Sequence, residues 1–213
     1  MEISLNNIIP DFLEKEKTDN SAIWKQQIIF KKGNKTEIIA PSGSGKTSLI
    51  HFLYGLRKDY SGTLFFNNEN LKNISPTGLA DLRAMQLSIV FQDLRLFKDF
   101  SVLQNLEIKR TLEPYHKTSL INEMADKLGI TNQLSQKAGI CSYGEQQRIA
   151  IIRALQQPFD FIILDEPFSH LDGENSEKAL ALIEQEADKR GAGIILADLQ
   201  HNPLYKADST LHL

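Results

Sequence analysis

The run Ala40-Pro41-Ser42-Gly43-Ser44-Gly45-Lys46-Thr47 constrains this chain more than any other stretch. A short apolar run, Glu37-Ile38-Ile39, precedes it, and Ser48-Leu49-Ile50-His51-Phe52-Leu53 follows. That order reads as strand, tight glycine loop and helix. Such a loop turns the successive backbone N–H groups of Ser42, Gly43, Ser44, Gly45 and their neighbours through Ser48 toward one point. The helix that starts there adds the positive end of its dipole, so the concavity suits a polyphosphate. Lys46 is placed to reach the β- and γ-phosphates, and the Thr47 hydroxyl to ligate Mg²⁺. The strict pattern has Gly where Ala40 stands, a mild departure if that residue keeps φ below zero.

The 213 residues suffice for one large domain, or a core with a subdomain. A net charge of -3 leaves no basic footprint for nucleic acid. The single cysteine, Cys141, excludes an intrachain disulfide and points to a reducing compartment. Apolar runs such as Phe161–Leu164 and Ile194–Ala197 are too short to cross a bilayer, and the N-terminus does not read as a signal peptide. Any membrane role is therefore expected through a partner.

The pattern predicts an edge strand at the start, a loop over 11–21 and a strand over 22–32. Further strands are expected at 37–40, 62–68, 87–91, 159–165, 193–197 and 209–213. Helices are expected over 47–54, 77–85 and 175–190, and residues 95–157 read as an inserted helical region. Strands alternating with helices argue for a parallel α/β sheet. Phe161-Ile-Ile-Leu-Asp165-Glu166 is the second strong signal, a doubly buried strand ending in two acids. Ligands of open α/β sheets sit at that edge. Asp165 is placed to hold Mg²⁺, and Glu166 to act as general base on the attacking water.

Cys141-Ser142-Tyr143-Gly144-Glu145-Gln146-Gln147-Arg148, continuing to Arg153-Ala154, is the third. Here the chain resembles the ATP-binding cassette (ABC) ATPases, whose signature usually reads Leu-Ser-Gly-Gly-Gln ahead of a helix of this type. Ser142, Gly144, Gln147, Arg148, Arg153 and Ala154 match, whereas Cys141, Tyr143 and Glu145 depart. The resemblance implies that Ser142, Gly144 and Glu145 close on the γ-phosphate held by another subunit. It implies that Gln92, in a Phe91-Gln92 segment, senses Mg²⁺ and water, and that Ser169-His170-Leu171-Asp172 crosses a dimer interface. It also sets Phe12 near the place of an adenine-stacking aromatic, though an ordinary core phenylalanine is the competing reading. Trp24 reads as packing on a strand.

The family places a switch histidine after its last buried strand. By position Ala197 replaces it here, and His201, four residues on, is either a substitute or a solvated loop residue. The segments 87–97 and 100–106 look like those of lipoprotein-release, macrolide-export and cell-division cassettes.

The expected fold is thus an α/β P-loop NTPase core of the ABC type, with an antiparallel β subdomain and an inserted helical subdomain. One domain spans 1–213, with its core at 1–94 and 158–213 and the helical part at about 95–157. The implied cofactors are ATP and Mg²⁺. The implied partners are a second copy of the chain and a transmembrane permease, docked through Leu94-Arg95-Leu96-Phe97, with no direct nucleic acid. The expected location is cytoplasmic, on the inner face of the membrane through that permease. Two alternatives remain: a slow nucleotide-gated regulatory cassette, and a soluble ABC ATPase acting on nucleic acid or ribosomes.

Overall fold

The computed structural model describes residues 1–14, 18–19 and 21–213, so the expected 11–21 loop lies partly outside the described residues, at 15–17 and 20. Two sheets form the frame. The antiparallel one contains β1 (Glu2–Pro10), β2 (Gln27–Lys31), β4 (Tyr60–Phe66) and β5 (Glu69–Asn70), in the order β2-β1-β4-β5. Alternating Ile3 and Leu5 bury one face of β1. This first strand is interior, paired on both sides, rather than at an edge. Alternation reports which face is buried and says nothing about how many neighbours a strand has. The strand expected over 22–32 is confined to Gln27–Lys31. Ser21 Oγ accepts from the N–H groups of Ile23 and Trp24 at 3.0 and 2.9 Å, closing a turn that competes with strand pairing.

The second sheet is parallel and contains β3 (Lys35–Ile39), β6 (Leu87–Val90), β7 (Phe161–Asp165), β8 (Gly193–Asp198) and β9 (Ser209–His212). Its order is β6-β7-β8-β3-β9. The central strands read as continuous apolar runs because both faces are covered. Ile162, Leu164, Ile194 and Leu196 enter one core, and Phe161, Ile163, Ile195 and Ala197 enter the other. The first core is shared with α5 (Tyr143–Ala154) and α6 (Gly173–Arg190), the second with β1 and α1 (Lys46–Leu53).

Residues 76–85 form α2, and the segment between β6 and β7 carries α3 (Val102–Leu112) and α4 (Ser119–Lys127) ahead of α5. Capping boxes start two of these helices, Ser101 with Gln104 and Ser142 with Glu145. The loop before α3 differs from the expected docking stretch. Leu94 is buried in the core, while Phe97 is exposed and stacks on exposed Phe100 with centroids 5.4 Å apart. Leu94 and Arg95 both adopt positive φ, and Arg153 donates to their carbonyls at 2.6 and 2.7 Å. The left-handed pair turns Leu94 inward, which a reading of loop hydrophobicity does not foresee.

A buried polar cluster ties the α3–α4 connection to α6. His116 Nε2 lies 2.7 Å from Glu186 Oε2, Arg190 Nη1 donates to the same oxygen at 2.6 Å, and Lys189 donates to Oε1 at 2.7 Å. Burial works against the Glu186 charge, but the hydrogen bonds from His116, Lys189 and Arg190 outweigh it and hold its carboxyl well below the ordinary range. A folded-state pKa below the unfolded value contributes stability that is present above the ordinary glutamate pKa and lost as pH falls through the folded value. Glu186→Ala should therefore lower stability at pH 7 by ~3–5 kcal/mol, because it leaves the buried Arg190 guanidinium without its anion. Urea unfolding measures it, and the gap to the unchanged protein should narrow as pH drops below ~4.

Candidate functional site

The loop between β3 and α1 is held open by its backbone. Gly43 and Gly45 have φ of 80° and 97°, and Gly45 caps α1 in the left-handed conformation. Ala40 stays outside that region, so its methyl is accommodated, and its N–H donates to the Asp198 carbonyl at 2.8 Å. Beneath the loop lies Trp24, fully buried, whose indole Nε1 donates to the Ser44 carbonyl at 3.0 Å. A Cβ on Gly45 would come within 3.0 Å of the Trp24 ring, so the glycine serves the close approach as well as the φ. Trp24 thus belongs to the turn before β2 and props the loop, rather than packing on a strand.

Lys46 is buried at the start of α1. Its ammonium donates to Asp165 and lies 2.7 Å from Glu166 Oε1. Burial opposes the Lys46 charge, but these two carboxylates outweigh it and raise its pKa above the ordinary lysine value. Burial pushes the Asp165 carboxyl up, against the opposing pull of Lys46. Glu166 follows the end of β7 with φ of 46°, a region sparsely populated by non-glycine residues. Hydrogen bonds on both sides of the residue hold it there. Its N–H donates to the Ala197 carbonyl at 2.9 Å, and its own carbonyl accepts from Gln147 Nε2 at 3.0 Å and Ser169 Oγ at 3.2 Å.

Two adjoining cavities flank this centre. One, of about 310 Å³, is lined by Phe12, Ser42, Gly43, Gly45, Lys46, Thr47, Ser48, Gln92 and Glu166 among others. The second, of about 390 Å³, is lined by Thr47, His51, Phe91, Gln92, Tyr143 and Asp165 among others. Ser44 Oγ is buried in the loop with no hydrogen-bond partner among the described residues. Thr47, Gln92 and Asp165 offer oxygen donors to one cavity, the donor chemistry of Mg²⁺. Among the described residues no cluster of three or more His, Cys, Asp and Glu side chains stands ready for a metal.

The structure therefore brings together Phe12, Ser42 to Ser48, Gln92, Asp165 and Glu166. Ser142, Gly144 and Glu145 sit apart, at the N-terminus of α5. Among the described residues lining the two cavities, that helix contributes Tyr143. Its ring meets His170 edge-on at 4.1 Å, and its hydroxyl donates to the Gln92 carbonyl at 3.4 Å. Gly144 approaches the His170 carbonyl so closely that a Cβ would lie 2.9 Å from it. Glu145 is engaged by the Ser142 N–H at 2.7 Å and by Gln133 at 2.7 Å. Its pKa is lowered, chiefly by that backbone N–H.

His201 is not part of this constellation. Its Nδ1 lies 2.7 Å from Glu37 Oε2, and the side chain is 61% exposed. Glu37 is fully buried and also accepts from the Asn202 N–H at 2.7 Å, so His201 serves to satisfy a buried acid. Sequence reasoning missed two residues here. Gln147 was noted only as a motif match. In the structure it is buried, binds the Glu166 carbonyl, and accepts from His170 N–H through Oε1 at 3.0 Å. Trp24, the only tryptophan of the chain, gave no sequence signal of its place under the loop.

A model of the family described as "ABC transporter" matches residues 25–169. The lipoprotein-releasing system ATP-binding protein LolD of Francisella tularensis subsp. tularensis (strain FSC 198) is 32% identical over 198 residues, covering 91% of this chain and 85% of that one. LolD of Buchnera aphidicola subsp. Schizaphis graminum (strain Sg) is 35% identical over 182 residues, covering 83% and 78%. Among solved structures, the dimeric structure of MJ0796, a bacterial ABC transporter cassette, superposes with a TM-score of 0.80 at 23% identity, covering 93% of this chain and 88% of that one. That likeness carries the fold.

Trp24→Phe keeps most of the apolar volume and removes the indole donor, leaving the Ser44 carbonyl unpaired. It should cost ~1–3 kcal/mol of stability, read by circular dichroism in urea. Nucleotide affinity should fall with it, measured by calorimetry.

Proposed function

We propose a function on one premise: the chain belongs to the ABC transporter family. It is the ATP-binding and ATP-hydrolysing subunit of a transport system of the lipoprotein-release type, working as a nucleotide-sandwich dimer that drives a membrane permease. The observation that carries the reading is the Lys46 ammonium held between Asp165 and Glu166 inside the phosphate loop. The 213 residues act as one ATP-binding domain, with a core at 1–94 and 158–213 and a helical part at about 95–157.

The loop N–H groups from Ser42 to Ser48 and the Lys46 ammonium hold the nucleotide's phosphates, and Phe12 faces its base. Binding draws Lys46 from the acids toward the phosphates, which frees Glu166 to accept a proton from the attacking water. Thr47 and Asp165, with Gln92 beside them, would hold Mg²⁺, which would supply charge neutralisation at the phosphates. Ser142, Gly144 and Glu145 act in trans, at the phosphate site of the second copy. Their place at the N-terminus of α5, where backbone N–H groups and the helix dipole favour an anion, supports that assignment. The permease engages a groove of about 270 Å³ lined by Tyr54, Phe91, Phe97, Ile108, Lys109 and Arg153. Exposed Phe97 and Phe100 at its rim supply the apolar contact that Leu94 does not. No described helix is long and apolar enough to cross a membrane. On this reading the chain works on the cytoplasmic side, held at the membrane by the permease.

Glu166→Gln keeps the hydrogen-bonding shape and loses the base. Hydrolysis should fall by ~10²–10⁴-fold while Mg-ATP still binds. Turnover by phosphate release, with binding followed by Trp24 emission, measures both. A wild-type rate in this variant would sink the assignment.

A second reading, a slow nucleotide-gated cassette, rests on Ala197. That residue is buried in the apolar cluster with Leu49 and Ile50, and its side chain has no polar atom to offer the γ-phosphate. One preorganised donor is typically worth ~10²–10³ in rate. Turnover of the isolated protein should therefore be slow, and Ala197→His should raise it. His201→Ala should leave hydrolysis unchanged and lower stability, because it takes a partner from buried Glu37. Loss of hydrolysis in His201→Ala, with none gained in Ala197→His, would return the switch role to His201.

A further inference from the structure

The base end of the nucleotide cavity is built around an exposed ring. Phe12 follows β1, is 54% exposed, and has no hydroxyl with which to anchor its plane. What lies against it is a cation. The Arg57 guanidinium carbon sits 4.9 Å from the Phe12 ring centroid, within the range of a cation–π contact. Arg57 comes from the turn after α1, where its N–H donates to the His51 carbonyl at 3.4 Å.

The guanidinium is itself clamped. Arg57 Nε donates to Asp59 Oδ1 at 2.9 Å, and Nη2 donates to Asp59 Oδ2, the paired geometry that fixes a planar fork. Nη1 lies 3.4 Å from Ser48 Oγ, at the phosphate end of the same cavity. Asp59 does a second thing. Its backbone carbonyl accepts from the Asp11 N–H at 3.2 Å, which ties down the turn that carries Phe12. One residue thus holds the ring's backbone through its carbonyl and the ring's cation through its carboxylate.

We propose that Arg57 is a positioning residue: clamped by Asp59, it backs one face of Phe12 and so holds the ring as a platform for the flat base of a nucleotide. This rests on the reading of Phe12 as the residue that stacks on the base. Because stacking reads a flat surface and not a hydrogen-bond pattern, the platform takes purine nucleotides as a class.

The test separates base from phosphate. Mg-ATP, Mg-GTP and magnesium tripolyphosphate, which has no base, are titrated into the full chain with Trp24 emission as the readout. The chain's only tryptophan lies under the phosphate loop and reports occupancy by all three. Phe12→Ala should weaken ATP by about tenfold or more and leave tripolyphosphate unchanged. Arg57→Ala should weaken ATP and GTP alike by ~3–10-fold, also with tripolyphosphate unchanged. Arg57→Gln is read the same way if the alanine variant does not fold. Unchanged ATP affinity in Phe12→Ala overturns the stacking reading itself. A loss in Phe12→Ala with none in the Arg57 variants overturns the role of Arg57 alone. Equal losses of ATP and tripolyphosphate in the Arg57 variants make Arg57 a phosphate contact and also overturn the proposal.

Discussion

The buried ammonium of Lys46 is what the rest of this site depends on. Two carboxylates, Asp165 and Glu166, stand side by side at the end of a strand with apolar neighbours on both faces. Like charges so close and so buried repel, and without a counter-ion one of them would take up a proton. Lys46 removes that cost by bridging both, and the bridge joins α1 to β7 across the sheet's C-terminal edge. The pairing also sets the terms on which a polyphosphate enters. On the proposed function, the incoming anion competes with two carboxylates for one cation, and a divalent ion would neutralise the acids that Lys46 leaves. Nucleotide and metal binding would then be linked through a single side chain.

Glu166 is the junction where that linkage meets the rest of the fold. Its left-handed backbone is a cost, and it persists because β8, α5 and the segment after β7 all hold it. Gln147 binds the Glu166 carbonyl with one end of its amide and the His170 N–H with the other. A shift of α5 therefore moves the Glu166 peptide and the 169–172 segment together, since a buried amide with both ends engaged has little slack. Tyr143 extends the same connection to the Gln92 carbonyl. The elements expected to face a second subunit are in this way coupled, within one chain, to the acid expected to activate water.

Much of this was legible in the residues, and the reasons are local. Gly43, Gly45, Lys46 and Thr47 carry their conformation and chemistry in their identities, and the doubly apolar β7 and β8 announce a covered parallel sheet. What stayed hidden was long-range. Trp24 lies 20 residues from the Ser44 carbonyl it supports, and no periodicity places a ring from one sheet beneath a loop of the other. Leu94 looked like an exposed apolar loop residue. Two successive positive-φ residues turned it inward, and neither is a glycine that would have marked the bend. Glu37 lies on β3 beside Thr36 and Ile38, and nothing in that short run marks its carboxylate as fully buried. Its buried carboxylate engages His201 from a loop 164 residues away, a contact that no local pattern announces.

The departures from the family pattern are not scattered evenly over the site. Ala40 aside, the phosphate loop, Lys46, Asp165 and Glu166 keep the residues that grip a nucleotide. Cys141, Tyr143 and Glu145 depart instead at the start of α5, and Ala197 at the end of β8. Tyr143 contacts His170, which is therefore part of its packing environment. Gly144 must remain small because the His170 backbone comes so close. Holding a nucleotide's phosphates draws on charge and backbone N–H groups, whereas positioning an attacking water draws on a few polar side chains. On the proposed reading the departures other than Ala40 fall on the second demand and not the first, so one cavity would keep its grip while its closure onto a second copy varies.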